Sequence, residues 1–174
     1  MLKFHNFLSN RIEGSKPIIL IIISTLILIL IELFFYYLFL ILNIPHTSNL
    51  SKIEILANFD SIAKIMFRLL KVSIMAPIIE TLIFQYLLFE LFYVKLNFNS
   101  ITFCLVGAII FGLFHYYSIP TIIITFTIGL VLNYLYLILR NKTNKKKAYI
   151  IVSSTHSLLN IVVFIDQYLN SLAV

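Results

Sequence analysis

Four residues carry side chains and spacings suited to chemistry on a carbonyl group: Glu80, His115, His156 and Asn160. A carboxylate and an imidazole can together take a proton from water, and a second imidazole with an amide can donate hydrogen bonds to an oxyanion. Each of the four lies in an apolar run. Glu80 sits in Ala76-Pro77-Ile78-Ile79-Glu80-Thr81-Leu82-Ile83-Phe84-Gln85 as the only acid. A lone carboxylate in such a run costs several kcal/mol unless it is paired, protonated or used, so it marks a functional site. The same atoms could ligate zinc, with Glu80, His115 and His156 as ligands and a fourth position open for water. No His-Glu-x-x-His pattern accompanies them, however, since Tyr116, Tyr117 and Ser118 follow His115. No Gly-x-Ser-x-Gly elbow surrounds Ser153, Ser154 or Ser157, and no glycine precedes an aspartate, so serine and aspartyl chemistries lack their local geometry.

The elements that must position these residues are membrane spans. With 61% hydrophobic residues, 11% charged residues and a mean hydropathy of +1.03, the chain has too little polar surface to coat a soluble domain. The formal charge of +6 is not a nucleic-acid footprint. The basic residues gather between apolar runs, chiefly at Arg140, Lys142, Lys145, Lys146 and Lys147, as topology signals facing anionic lipid do. Cys104, the single cysteine, lies in an apolar run and reads as packing.

The pattern predicts an all-α polytopic bundle of about five transmembrane helices. Residues 1–16 form a polar lead with Lys3, Arg11 and Lys16, and residues 17–42 the first span, too long for a signal-peptide core. Residues 43–71 are a connection ending in an interfacial helix, because Lys64, Arg68 and Lys71 recur at helical spacing among apolar residues. Residues 72–174 are the functional core, with spans near 72–93, 101–117, 121–139 and 148–169. Ser118-Ile119-Pro120 turns the third span back into the fourth. Counting Lys and Arg on alternate sides places the N-terminus in the cytoplasm.

Residues four apart share a helix face, so Phe111 pairs with His115, His156 with Asn160, and Thr81 with Gln85. Polar pairs in a span must look into the bundle, which brings Glu80, His115, His156 and Asn160 toward one buried pocket. Glu32 in the first span is a further embedded acid, outside this set. Asn133 reads as interhelical glue, and Glu90 and Asp166 sit near span ends.

These motifs resemble the CPBP family, the CAAX proteases and bacteriocin-processing (Abi) enzymes, which are glutamate-dependent intramembrane endopeptidases. That family's first motif is two glutamates, three residues and an arginine after a proline, the frame of Pro77 to Gln85. Its second, phenylalanine four residues before histidine, corresponds to Phe111 and His115. Its third, histidine four residues before asparagine or aspartate, corresponds to His156 and Asn160. Thr81 and Gln85 stand where the second glutamate and the arginine are usual. A hydroxyl and an amide at that spacing can brace the helix without burying two ions.

The resemblance implies that Glu80 and His115 activate water and that His156 and Asn160 bind the oxyanion, at a value on the order of 3–4 kcal/mol per donor. Thr81, Gln85 and Phe111 are then supporting residues. The implied substrate is a peptide or lipid-modified protein at a bacterial cytoplasmic membrane, with no nucleic-acid partner and zinc the one cofactor to consider. Two other classes compete: a CPBP-fold scaffold or bacteriocin-immunity protein without activity, and a small transporter using Glu80 and Glu32 as proton sites.

Overall fold

The computed structural model describes residues 15–44 and 61–172. Most of the polar lead and most of the expected connection before residue 61 lie outside them. The described residues form five helices: α1 (Pro17–Ile41), α2 (Ile62–Lys95), α3 (Ser100–Phe114), α4 (Ile119–Lys142) and α5 (Lys145–Leu172). All are α-helical except α2, which is wound in the wider π form over Lys71–Met75, Thr81–Leu87 and Phe89–Lys95.

Four of the five, α1, α2, α4 and α5, are long and apolar enough to cross a membrane. The third expected span is shorter. At 15 residues, α3 covers only about 22 Å, against a hydrocarbon thickness of about 30 Å. The expected interfacial segment ahead of the second span is not separate either: Ile62 to Lys95 run as one helix of 34 residues. Lys64, Arg68 and Lys71 keep helical spacing and introduce no breaker, so nothing interrupts the helix there.

Local chemistry sets the ends. Asn99 caps α3 by accepting from the Thr102 N–H at 2.9 Å, and Ser118 caps α4 by accepting from the Thr121 N–H at 3.2 Å, with Pro120 in the first turn. The expected break at Ser118-Ile119-Pro120 is therefore a true helix start. At the opposite end Thr143 closes α4, its N–H and Oγ1 both bonding the Leu139 carbonyl at 2.7 Å.

Helix α3 packs antiparallel to both α2 and α4, and α3 and α4 form the tightest pair through glycines. A Cβ on Gly112 would meet Phe126 Cβ at 3.0 Å and the Ile122 carbonyl at 3.1 Å, and one on Gly129 would meet Phe111 at 3.0 Å. Small residues here let two backbones approach as embedded helices require. On α2, Phe84 packs edge-on against Phe111 and Phe89 against Phe103 and Tyr136. Helix α1 joins from outside: Ser24 Oγ lies 3.1 Å from Thr155 Oγ1, and Thr25 Oγ1 donates to the Thr155 carbonyl at 3.4 Å. Most other α1 side chains are exposed and apolar, as a lipid-facing helix requires.

Because the contact at Gly112 is with backbone and Cβ atoms, it has no flexible side chain to move aside. Gly112→Val is expected to lower stability by about 1–3 kcal/mol, seen as a fall in the unfolding midpoint of the purified protein in detergent.

Candidate active site

Glu80 lies where α2 changes winding, at the last residue of the α-helical turn Ala76–Glu80 and just before the π stretch from Thr81. Such transitions recur at functional sites. Its Oε2 is 3.9 Å from His115 Nε2 and 3.6 Å from His156 Nε2. Three helices therefore deliver one carboxylate and two imidazoles, three of the four expected residues, to one point. Both separations exceed a direct hydrogen bond.

The two histidines are held differently. His115 ends α3, with its backbone leaving helical geometry. Its Nδ1 is 2.8 Å from the Phe111 carbonyl. A carbonyl only accepts, so Nδ1 carries the proton, and in the neutral imidazole Nε2 presents a lone pair toward Glu80. The Phe111 ring packs on both imidazoles, with centroid distances of 4.6 Å to His115 and 5.8 Å to His156. Phe111 is itself fixed between Phe84 and Gly129. His156 is buried, with only 5% of its side chain exposed, whereas Glu80 and His115 keep 18% and 20%. The carboxylate and His115 thus form the accessible side of the site and His156 its floor. The adjoining Tyr116 and Tyr117 are 80% and 73% exposed, as an interfacial aromatic pair should be.

Asn160 does not join this group. It faces α2 one turn away from His156, and its Nδ2 donates to the Val72 carbonyl at 3.0 Å. The cause is Pro77. In the π stretch the Ala76 N–H donates five residues back to the Lys71 carbonyl, and the next donor in that register would be residue 77, which has no N–H. Val72 is left without that intrahelical partner, and Asn160 supplies one. Ser73 Oγ returns a bond to the Asn160 carbonyl at 3.2 Å, and Tyr149 Oη donates to the Ile78 carbonyl at 3.0 Å. Helix α5 therefore clamps α2 by its backbone on both sides of Pro77, a contact that pattern reasoning missed. The signal available was a proline inside a span, three residues before the acid.

The direct Thr81–Gln85 brace is also not formed. Thr81 Oγ1 and both ends of the Gln85 amide are buried without a hydrogen-bond partner in the structure. Asn133, expected to be interhelical glue, is fully buried against Gly107 and likewise makes no direct bond. Glu32 is in electrostatic contact with Asp166 of α5. Glu90 reaches Arg140 Nη2 and Lys145 Nζ, each at 3.5 Å, tying together the ends of α2, α4 and α5.

Among the described residues no group of three His, Cys, Asp or Glu side chains is disposed to hold a metal ion. Glu80, His115 and His156 are the residues with zinc-ligand chemistry, and their contacts are those of a carboxylate facing two imidazoles.

The fold defines a polytopic membrane protein with one carboxylate and two imidazoles drawn together among its helices. Residues 62–162, more than half of the chain, match the model of the type II CAAX prenyl endopeptidase Rce1-like family, and the chain belongs to that family. This agrees with the CPBP resemblance carried by Glu80, by Phe111 and His115, and by His156 and Asn160. No curated protein and no solved structure matches the chain.

The bond from Asn160 to Val72 has a thermodynamic signature. Asn160→Ala is expected to cost about 1 kcal/mol. The same substitution in a Pro77→Ala background should cost much less, because residue 77 then donates to α2 itself. A double-mutant cycle from denaturant unfolding measures the coupling.

Proposed function

We propose that this protein is an intramembrane endopeptidase in which Glu80 and His115 activate a water held between them. The observation that carries this reading is the convergence of His115 Nε2 and His156 Nε2 on one oxygen of Glu80 from three different helices. A water bridging Glu80 and His115 can direct its two hydrogens at the carboxylate oxygen and the Nε2 lone pair, which leaves an oxygen lone pair for a peptide carbonyl carbon. As the C–O bond forms, one proton passes to Glu80, and the carbonyl π electrons move to the oxygen. His156, buried beside the carboxylate, is placed to donate Nε2–H to that oxyanion. Collapse of the tetrahedral intermediate breaks the C–N bond, with the proton on Glu80 going to the departing amine.

Asn160 takes a different role in this scheme from the one its motif suggests. It acts as a positioning residue, holding α2 and α5 in the register that sets His156 opposite Glu80. Family membership favours a peptide substrate carrying a CAAX-type lipid-modified end, with a peptide matured at a bacterial cytoplasmic membrane as the narrower case. With the basic loop between α4 and α5 in the cytoplasm, the N-terminus is cytoplasmic as well. The α3–α4 turn and the mouth of the site then open on the other side.

The test is peptide cleavage by the purified protein. Glu80→Gln should reduce kcat by on the order of 10²–10⁴-fold, and His156→Phe by on the order of 10²–10³-fold, with substrate binding retained in both. Asn160→Ala should lower stability more than kcat. Cleavage that survives Glu80→Gln would overturn the mechanism. Activity lost to a chelator and restored by zinc would reassign Glu80, His115 and His156 as metal ligands.

A further inference from the structure

A second polar group lies inside the bundle, beyond the active site and unused by the mechanism. Gln85 and Asn133 are fully buried, and both ends of each amide lack a hydrogen-bond partner in the structure; the same is true of Thr81 Oγ1 and Tyr136 Oη. Packing on either side assigns them to a layer. Nearer Glu80, Phe84 of α2, Phe111 of α3 and Gly129 of α4 meet one another. Farther from Glu80, Phe89 of α2 contacts Phe103 of α3 and Tyr136 of α4. Between these two aromatic layers come Gln85 on α2, Gly107 on α3 and Asn133 on α4. A Cβ on Gly107 would lie 2.8 Å from Asn133 Nδ2, so the glycine makes the room the amide occupies.

The file continues at both ends. Thr81 stands one turn from Gln85 and next to Glu80. Tyr136 is in electrostatic contact with Glu90 and Arg140, the ion cluster at the far end of α2 and α4. Lipid offers these groups no hydrogen bonds, and a buried amide left unmade costs about 1–3 kcal/mol per group. Several such groups in one layer would amount to a large share of the stability of a chain this size. Buried polar groups without protein partners are ordinarily satisfied by internal water, each molecule making about three bonds.

We infer that the layer between α2, α3 and α4 is a water-binding site, in which internal waters link Thr81, Gln85, Asn133 and Tyr136 into a hydrated file running from beside Glu80 toward the Glu90–Arg140 cluster. The neutral Thr81 and Gln85 are what make this file: a charged pair at those positions would satisfy itself, whereas a hydroxyl and an amide each keep donors and acceptors for water. The inference does not depend on hydrolysis by Glu80, since the unpaired amides need partners in a scaffold as much as in an enzyme.

X-ray radiolysis of the full-length protein in nanodiscs tests it, because radiolysis of bound water generates hydroxyl radicals next to buried side chains. Tyr136 is expected to oxidise roughly tenfold faster than Phe39, a comparably buried ring in the α1 interface. Gln85→Met combined with Asn133→Leu should bring Tyr136 down to the Phe39 rate while leaving exposed Tyr116 and Tyr117 unchanged. If the double variant does not fold, Asn133→Leu alone should give a partial fall in the same direction. Oxidation of Tyr136 no faster than Phe39 in the parent protein would overturn the proposal, as would a Tyr136 rate unaffected by these substitutions.

Discussion

Pro77 removes one backbone donor three residues before Glu80, and in an apolar medium the carbonyl it would have served must be satisfied by another helix. One of the two bonds that hold α5 against α2 follows from that requirement. Asn160 of α5 bonds the Val72 carbonyl and Tyr149 bonds the Ile78 carbonyl, so α5 is tied to the backbone of α2 rather than only to its side chains. His156 lies between those two anchors in sequence, one turn from Asn160, and is carried to Glu80 by them. Proline thus has a constructive part here, since it leaves the Val72 carbonyl for Asn160 to hold.

The third member of the site is placed by packing. His115 sits at the end of α3, the shortest of the five described helices, and its Nδ1 is occupied by the Phe111 carbonyl of its own last turn. Imidazole orientation is then governed by the helix end, and the helix end by the glycine contacts with α4. Phe111 transmits both, because its ring touches Phe84, His115 and His156 and lies over Gly129. One aromatic residue consequently relates the α2–α3 and α3–α4 interfaces to the two imidazoles.

Much of this was legible in the chain. Hydropathy alone locates the spans, because only helices satisfy their own backbone in lipid, and the spacing of four residues puts Phe111 beside His115. The unbroken union of residues 62–71 with the second span was not legible, since basic residues at helical spacing suit an interfacial helix and a helix emerging from the membrane equally well. Nor was the role of Asn160. Its partner is a main-chain carbonyl, which leaves no mark in residue type, and it exists only because π winding and Pro77 fall together. The Glu90–Arg140–Lys145 cluster was hidden for a related reason: it joins three helix ends whose adjacency follows from the bundle and not from any local pattern.

The replacement of a charged pair by Thr81 and Gln85 bears on how such a site can be built. An ion pair four residues apart on a helix is complete in itself and asks little of its surroundings once its desolvation is met. Thr81 and Gln85 avoid that desolvation, but they carry hydrogen-bonding capacity that their own helix does not use. The demand passes to the neighbouring helices, where Asn133 and Tyr136 have the same unmet capacity, Asn133 occupying the room that Gly107 leaves. A carboxylate flanked by such a face is surrounded by groups that can reorient, whereas one beside a fixed guanidinium is held by a single strong partner. The two designs differ less in whether Glu80 can act than in what keeps it supplied with hydrogen bonds before it does.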